Sequence, residues 1–285
     1  MWFLFAIIYA VLISIVIIFD RHVIKNVFTH PVQGLFITIP TSVVILLGIA
    51  PLITWPQFPF FLLAFFAGCL LQLSQISYFH AMEKTDETGD LSAIESSYPV
   101  LVAIISVFIG QYLSLWQWIG VLIIVASVIL ITVQKTKTVD TTFFLFIGLD
   151  IIFLALHAIT AAYVLDKIDF LSFLGPYNLA IIICGSLLIL LIKGGKLSTN
   201  WTSIRAILPH LCFIEVINII ALISATYALS IGHAALVTVV MSTYPAVVFF
   251  FCFFAFKEGR QGTRYFVLKV LLILILALGL GLVTI

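Results

Sequence analysis

The sequence predicts an all-α integral membrane protein of ten transmembrane helices, arranged as two inverted five-helix repeats. Three observations predict this. Of the 285 residues, 64% are hydrophobic and 9% are charged, against about 25% charged in an average soluble domain. Twelve acids and thirteen bases cannot cover a soluble fold that must also bury 26 Phe. The apolar residues fall into runs of the length, about 20 residues, that a helix needs to cross the ~30 Å hydrocarbon layer. Finally, Ser96-Ser97-Tyr98-Pro99-Val100 recurs 146 positions later as Ser242-Thr243-Tyr244-Pro245-Ala246.

A net charge of +1 argues against nucleic acid as a partner, and this composition excludes disorder. Cys69, Cys184, Cys212 and Cys252 each sit inside an apolar run at no metal-like spacing, so they read as small packing residues rather than ligands or a disulfide framework.

The punctuation between apolar runs sets the spans. Span 1 starts at Trp2; with neither a basic leader nor a small-residue cleavage site it reads as a retained helix, running through Asp20-Arg21-His22 towards Phe28. It stops before His30-Pro31. Span 2 covers about Gly34 to Ile53 and ends at Trp55-Pro56-Gln57, and span 3 covers Phe58 to Met82. An acidic link, Glu83 to Asp90, leads to span 4, Leu91 to Ile109. Span 5 is Leu115 to Val133, and the polar stretch Gln134 to Thr142 separates it from span 6, Phe143 to Leu165. Span 7 is Leu171 to Ile192. After Lys193-Gly194-Gly195-Lys196 come span 8 (Ala206 to Leu229), span 9 (Ala234 to Phe256) and span 10 (Tyr265 to Ile285). The first repeat is then residues 1–137 and the second 138–285.

Odd-numbered loops carry Lys84, Lys135, Lys137, Lys193, Lys196, Arg205, Lys257, Arg260 and Arg264; even-numbered loops carry Lys167. The positive-inside rule makes the odd loops cytoplasmic and puts both termini outside the cell's inner (plasma) membrane. The sequon Asn200-Trp201-Thr202 would then face the cytoplasm, where it has no meaning.

An odd number of helices per repeat turns the second copy upside down. Inverted repeats with proline-interrupted helices at matching positions point to a transporter whose site lies at the repeat interface. Proline removes a backbone donor and clashes with the carbonyl four residues earlier. In lipid, backbone freed in that way must face protein or a wet cavity. Pro99 and Pro245 are therefore the expected helix breaks, and Ser97, Tyr98, Thr243 and Tyr244 the expected cavity lining. Upstream, Tyr78-Phe79-His80-Ala81-Met82 resembles Ala225-Thr226-Tyr227-Ala228-Leu229 with a one-residue shift, which adds Tyr78 and Tyr227 to the candidate lining.

Residues 110–120, Gly-Gln-Tyr-Leu-Ser-Leu-Trp-Gln-Trp-Ile-Gly, with the apolar run after them, resemble the signature that closes the first repeat of EamA proteins, in the drug/metabolite transporter superfamily. Gln111 stands where that pattern has Glu, and Ser127 where a Gly is common. The second copy keeps Lys257-Glu258 and loses Gln-Trp-x-Gly. The resemblance implies a secondary carrier or exchanger of small metabolites, with a central cavity worked by alternating access. It also implies cytoplasmic termini, the opposite of what the loop charges indicate.

A charged side chain inside a span costs ~2.5–3.5 kcal/mol at mid-bilayer on insertion scales, so each needs a reason. Glu95 shares a helix face with Tyr98 and Pro99 and is the first candidate for protonation or charge recognition. Glu215 and Asn218 form an i, i+3 patch, and Asn218 corresponds to Gln72 at the 146-residue offset, with Gln75 beside it. Asp150 and His157 are two turns apart on one stripe of span 6, about 10 Å along the axis, too far for direct contact. Asp20-Arg21-His22 is the densest polar cluster in any span. Arg21 is a candidate to pair with Glu95 or Glu215 or to bind a substrate carboxylate bidentately.

His-Glu-x-x-His, Cys-x-x-Cys, Gly-x-Gly-x-x-Gly and the P-loop are all missing, so the sequence gives no reason to expect an enzyme, a metal site or a cofactor, and no primary pump. The expected activity is secondary transport of a small polar or amphipathic metabolite such as an amino acid or amine, with proton coupling at Glu95 or Glu215. The alternatives are an electroneutral exchanger without proton coupling and a non-transporting membrane subunit. Expected partners are the small-molecule substrate and the lipid bilayer, with the chain a monomer or homodimer.

Overall fold

A computed structural model describes residues 1–26, 30–84, 88–132, 141–192, 201–255 and 262–283. Among these, every apolar stretch read from the sequence is helical, and no strand occurs. The helices are α1 (Trp2–Asn26), α2 (Leu35–Ile49), α3 (Phe58–Lys84), α4 (Thr88–Glu95), α5 (Tyr98–Phe108) and α6 (Leu115–Thr132). They continue as α7 (Thr141–Leu165), α8 (Phe170–Ile192), α9 (Trp201–Ile231), α10 (Ala234–Met241), α11 (Tyr244–Ala255) and α12 (Gly262–Val283). Short 3-10 turns, Pro31–Gly34 and Ala50–Leu52, flank α2.

Among the described residues six helices are long and apolar enough to cross a bilayer, and the stretches Tyr98–Phe108, Leu115–Ser127, Ala234–Val248 and Leu274–Val283 are apolar but shorter. The surface is the reverse of a soluble protein's. Large apolar side chains such as Phe58, Phe108, Leu191, Phe213 and Leu278 are more than two-thirds or nearly two-thirds exposed, while Ser14, Gln72 and Asp150 are fully buried. Exposed apolar area on this scale is a membrane-facing surface.

Spans 4 and 9 are each two helices separated by a two-residue turn, Ser96-Ser97 and Ser242-Thr243. The backbone bonds of the two breaks correspond one for one. Ser96 N–H donates to Ser92 O, Ser97 to Ile94 O and Val100 to Ser97 O; 146 residues later Ser242 donates to Thr238 O, Thr243 to Val240 O and Ala246 to Thr243 O. Each following helix places its proline in the first turn, where the missing N–H has no intrahelical partner to lose. Pro40, Pro176 and Pro209 lie inside α2, α8 and α9, which stay helical.

Close helix contacts explain particular glycines. A methyl at Gly68 of α3 would lie 2.3 Å from the Tyr177 carbonyl oxygen of α8. Gly120 of α6 and Gly279 of α12 face each other's backbone: a methyl at Gly120 would meet Gly279 O at 2.9 Å. The main packing pairs are α3 on α7, α1 on α9, α6 on α12, and α8 on both α2 and α3. One core cluster runs through α1, α3 and α5 to α12, which joins helices of both halves of the chain.

The stretch that resembles the EamA signature is helix punctuation. α5 closes in a Schellman motif: Gln111 N–H donates to Ser106 O at 2.9 Å, Gly110 N–H to Val107 O at 3.1 Å, and Gly110 takes φ 83°, a conformation that suits glycine. Four residues on, α6 opens with a capping box. Gln117 N–H donates to Ser114 Oγ at 3.2 Å, and Ser114 N–H donates to Gln117 Oε1 at 2.9 Å.

Candidate functional site

Three carboxylates within the spans each accept a hydrogen bond from a hydroxyl far away in the chain. Glu95 sits at the last position of α4, beside the first break, and accepts from the Tyr244 hydroxyl, which opens α11 beside the second. Asp150 lies in the middle of α7 and accepts from Ser74 Oγ of α3 at 2.6 Å. Glu215 of α9 accepts from Thr41 Oγ1 of α2 and from Asn218 Nδ2 one turn along its own helix at 3.3 Å. A hydroxyl donor is what a carboxylate needs where water is excluded, because leaving it unpaired costs far more than the bond returns in water.

The first two carboxylates belong to one cluster. Asp150 and Glu95 lie within electrostatic reach of each other, and Tyr9, Tyr78 and Tyr98 each feel both. Tyr78 faces Ser92, the residue one turn before Ser96, and Tyr244 also directs its hydroxyl at the Ser92 carbonyl at 3.4 Å. Ser14 Oγ of α1 donates to the Tyr244 carbonyl at 3.0 Å and to Ala10 O at 2.6 Å, pinning α1 to the start of α11. Pro99 and Pro245 are buried next to these tyrosines. Helix breaks thus deliver Glu95, Tyr98 and Tyr244 to one place. Ser97 is half-buried in the first break, while Thr243, buried in the second, spends its hydroxyl on the Val240 carbonyl at 2.8 Å.

Other residues expected from the sequence fall elsewhere. Asp20 is half-buried within reach of Glu215, so it belongs with Thr41 and Asn218, and its Oδ1 meets no partner among the described residues. Gln72 is fully buried and its amide donates to Thr38 Oγ1 and the Ile181 carbonyl, both at 3.2 Å, tying α3 to α2 and α8. His157 Nδ1 pairs with the Ala67 carbonyl at 3.1 Å and its ring lies 5.7 Å from that of Tyr177, a packing role apart from the carboxylates. Tyr227 packs edge-on to Phe5 at 4.7 Å and to Phe170 at 5.8 Å, in an aromatic group. The side chains of Arg21 and His22, the acidic-link residues Asp86, Glu87 and Asp90, the sequon at Asn200 and most loop bases lie outside the described residues.

Sequence reasoning left Asp150 out of the site, having read it only against His157 on its own helix. Both contacts instead run to α3, in antiparallel register: Ser74 meets Asp150 and Ala67 meets His157, seven residues apart on each helix. The signal that was available is the requirement for a hydroxyl partner on a neighbouring span.

Residues 1–133, just under half of the chain and ending one residue past α6, match the EamA-like transporter family. Over those residues the chain is similar to EamA-like transporters. That likeness and the apolar helices support a multi-pass membrane protein of the transporter kind. The crystal structure of another protein is similar to this chain with a TM-score of 0.72, over 99% of this chain and 96% of that one. At 14% identity that likeness concerns the fold alone. No curated protein matches the chain.

Proposed function

We propose that this chain is a secondary carrier of ten spans, built from two inverted halves at residues 1–137 and 138–285. It moves a small polar or amphipathic metabolite, an amino acid, an amine or a similar compound, by alternating access. Three features support the inverted arrangement. The two breaks carry the same backbone bonds at a 146-residue offset. The packing of α3 on α7 has its counterpart in that of α9 on α1 under exchange of the halves. The pairs α6–α12 and α2–α8 each map onto themselves.

The observation that carries the transport reading is the reciprocity of the carboxylate bonds. Ser74 and Thr41 of the first half hold Asp150 and Glu215 of the second, and Tyr244 of the second half holds Glu95 of the first. Any rocking of one half against the other must break and remake these bonds. A proton or a charged substrate arriving at a carboxylate therefore has direct leverage on which arrangement is favoured, as linkage requires. Glu95 is the coupling site in this reading, because it sits at a break and its partner Tyr244 sits at the other.

The test is flux in proteoliposomes. Glu95→Gln keeps the shape and removes the charge, so it abolishes pH-driven flux while leaving substrate exchange. Unchanged pH dependence in that variant rejects Glu95 as the coupling group. The loop charges place both termini outside, which site-specific labelling of a terminal tag in sealed cells decides.

A further inference from the structure

Asp150 is the carboxylate with the least reason to be where it is. It is fully buried in the middle of α7, and while Oδ1 accepts from Ser74, Oδ2 has no partner among the described residues. Its charged neighbour is another acid, Glu95. Two carboxyl groups sharing a dry site repel, and a buried acid with half its acceptors empty is costly unless something positive fills them. Lys84 and Lys167, exposed at helix ends, are not placed to do so.

What surrounds the pair defines the cation. Tyr9, Tyr78, Tyr98 and Tyr244 bring rings and hydroxyls from α1, α3, α5 and α11 to the two acids. An inorganic cation seeks a shell of six or more oxygens. Aromatic faces with a few acceptors suit an organic ammonium, whose N–H groups bond carboxylate oxygens and whose charge sits against ring faces. We propose that Asp150, paired with Glu95, binds the ammonium group of an organic amine, with Asp150 Oδ2 as its open acceptor. This rests on the carrier reading above and names its substrate class.

Three probes of equal length separate the possibilities: n-butylammonium, butyrate and n-butanol, titrated calorimetrically into the purified chain in detergent. The amine binds at least tenfold more tightly than the other two. Asp150→Asn lowers amine affinity at least tenfold, and Asp150→Glu, which restores a carboxylate, recovers part of the loss. Size-exclusion elution shows whether each variant is folded. If Asp150→Asn does not fold, the wild-type probe series decides alone. Preference for butyrate, no binding of the amine, or an unchanged amine affinity in folded Asp150→Asn overturns the site. Counterflow of the same probes in proteoliposomes tests the carrier reading separately. Amine binding without flux of any probe retains the site and removes the carrier, whereas butyrate flux without amine binding retains the carrier and removes the site.

Discussion

Substituting Gly68 by Ala tests the contact that joins α3 to α8, on which the placement of Gln72, His157 and Tyr177 depends. The new methyl would stand 2.3 Å from the Tyr177 carbonyl oxygen and 2.8 Å from the Ala180 Cβ. Unstrained contacts of this kind lie near ~3.5 Å, so the helices must part by about 1 Å. Neither obstacle is the far end of a flexible side chain, which leaves backbone movement as the only relief. The Gln72 bond to the Ile181 carbonyl, already 3.2 Å, does not survive such a shift. Overpacking of this kind costs ~1–3 kcal/mol, and the one Gln72 amide N–H that loses its acceptor, the other keeping Thr38 Oγ1, adds ~1–3 kcal/mol. The matched control is Gly148→Ala in α7, where a methyl meets nothing within 4 Å. That change removes a glycine from a helix interior and gains up to ~1 kcal/mol. Thermal unfolding of both variants in one detergent, followed by intrinsic fluorescence, should move the two midpoints in opposite directions. If Gly68→Ala is as stable as Gly148→Ala, the close approach of α3 and α8 is wrong, and the placement of His157 against Tyr177 goes with it.

The helix caps give two further outcomes. Ser114→Ala removes the hydroxyl that caps α6 at Gln117 N–H and should cost ~0.5–2 kcal/mol, while Ser114→Thr, which keeps the cap, should cost much less; unfolding midpoints check both. Asp169 caps α8, accepting from Ser172 Oγ at 2.5 Å and from Ser172 N–H at 2.9 Å, and these bonds hold its carboxyl below the usual aspartate range. A lowered value in the folded state means that the stabilisation is fully present above about pH 3.9 and fades as the pH falls through the folded value. Asp169→Ala should therefore be less stable than the parent at neutral pH, by the low end of ~0.5–2 kcal/mol because the cap is largely exposed. The two should converge in acid, and a gap that persists there would mean that the carboxylate is not the cap.

The bundle was legible because the bilayer imposes a length on each span, and composition alone tells how many residues must be apolar. The helix breaks were legible for a different reason: the hydroxyl-hydroxyl-Tyr-Pro pattern occurs twice at a fixed offset. Proline by itself would have misled, since Pro40, Pro176 and Pro209 remain inside continuous helices. In lipid, neighbours can satisfy the carbonyl that a proline frees, so the outcome depends on packing that no local window contains. Tyr227 shows the same limit. Its segment, 225–229, matches 78–82 only with a one-residue shift, which rotates a helical side chain by about 100°, and the ring packs on Phe5 and Phe170. Asp150 was visible but unassigned, since periodicity reports which residues share a face and not which helix that face meets.

Symmetry and chemistry divide between backbone and side chains in this protein. At the 146-residue offset Tyr98 maps to Tyr244 and Gln72 to Asn218, but Glu95 maps to Met241 and Asp150 to Leu4. The two halves thus share their hinges and differ in their charges. Equal hinges are what alternating access requires, because the outward and inward arrangements must be close in energy for either to be reached. Equal charges would work against a single site, for a doubled set of four acids around one locus multiplies the repulsion already present between Glu95 and Asp150. A carboxylate from each half, each held by a hydroxyl from the other, gives one locus that both halves must share. Removing either hydroxyl, Tyr244 or Ser74, therefore weakens the same site from opposite sides, and the two losses should not be additive. Non-additivity within one network is the expected signature of groups that act together.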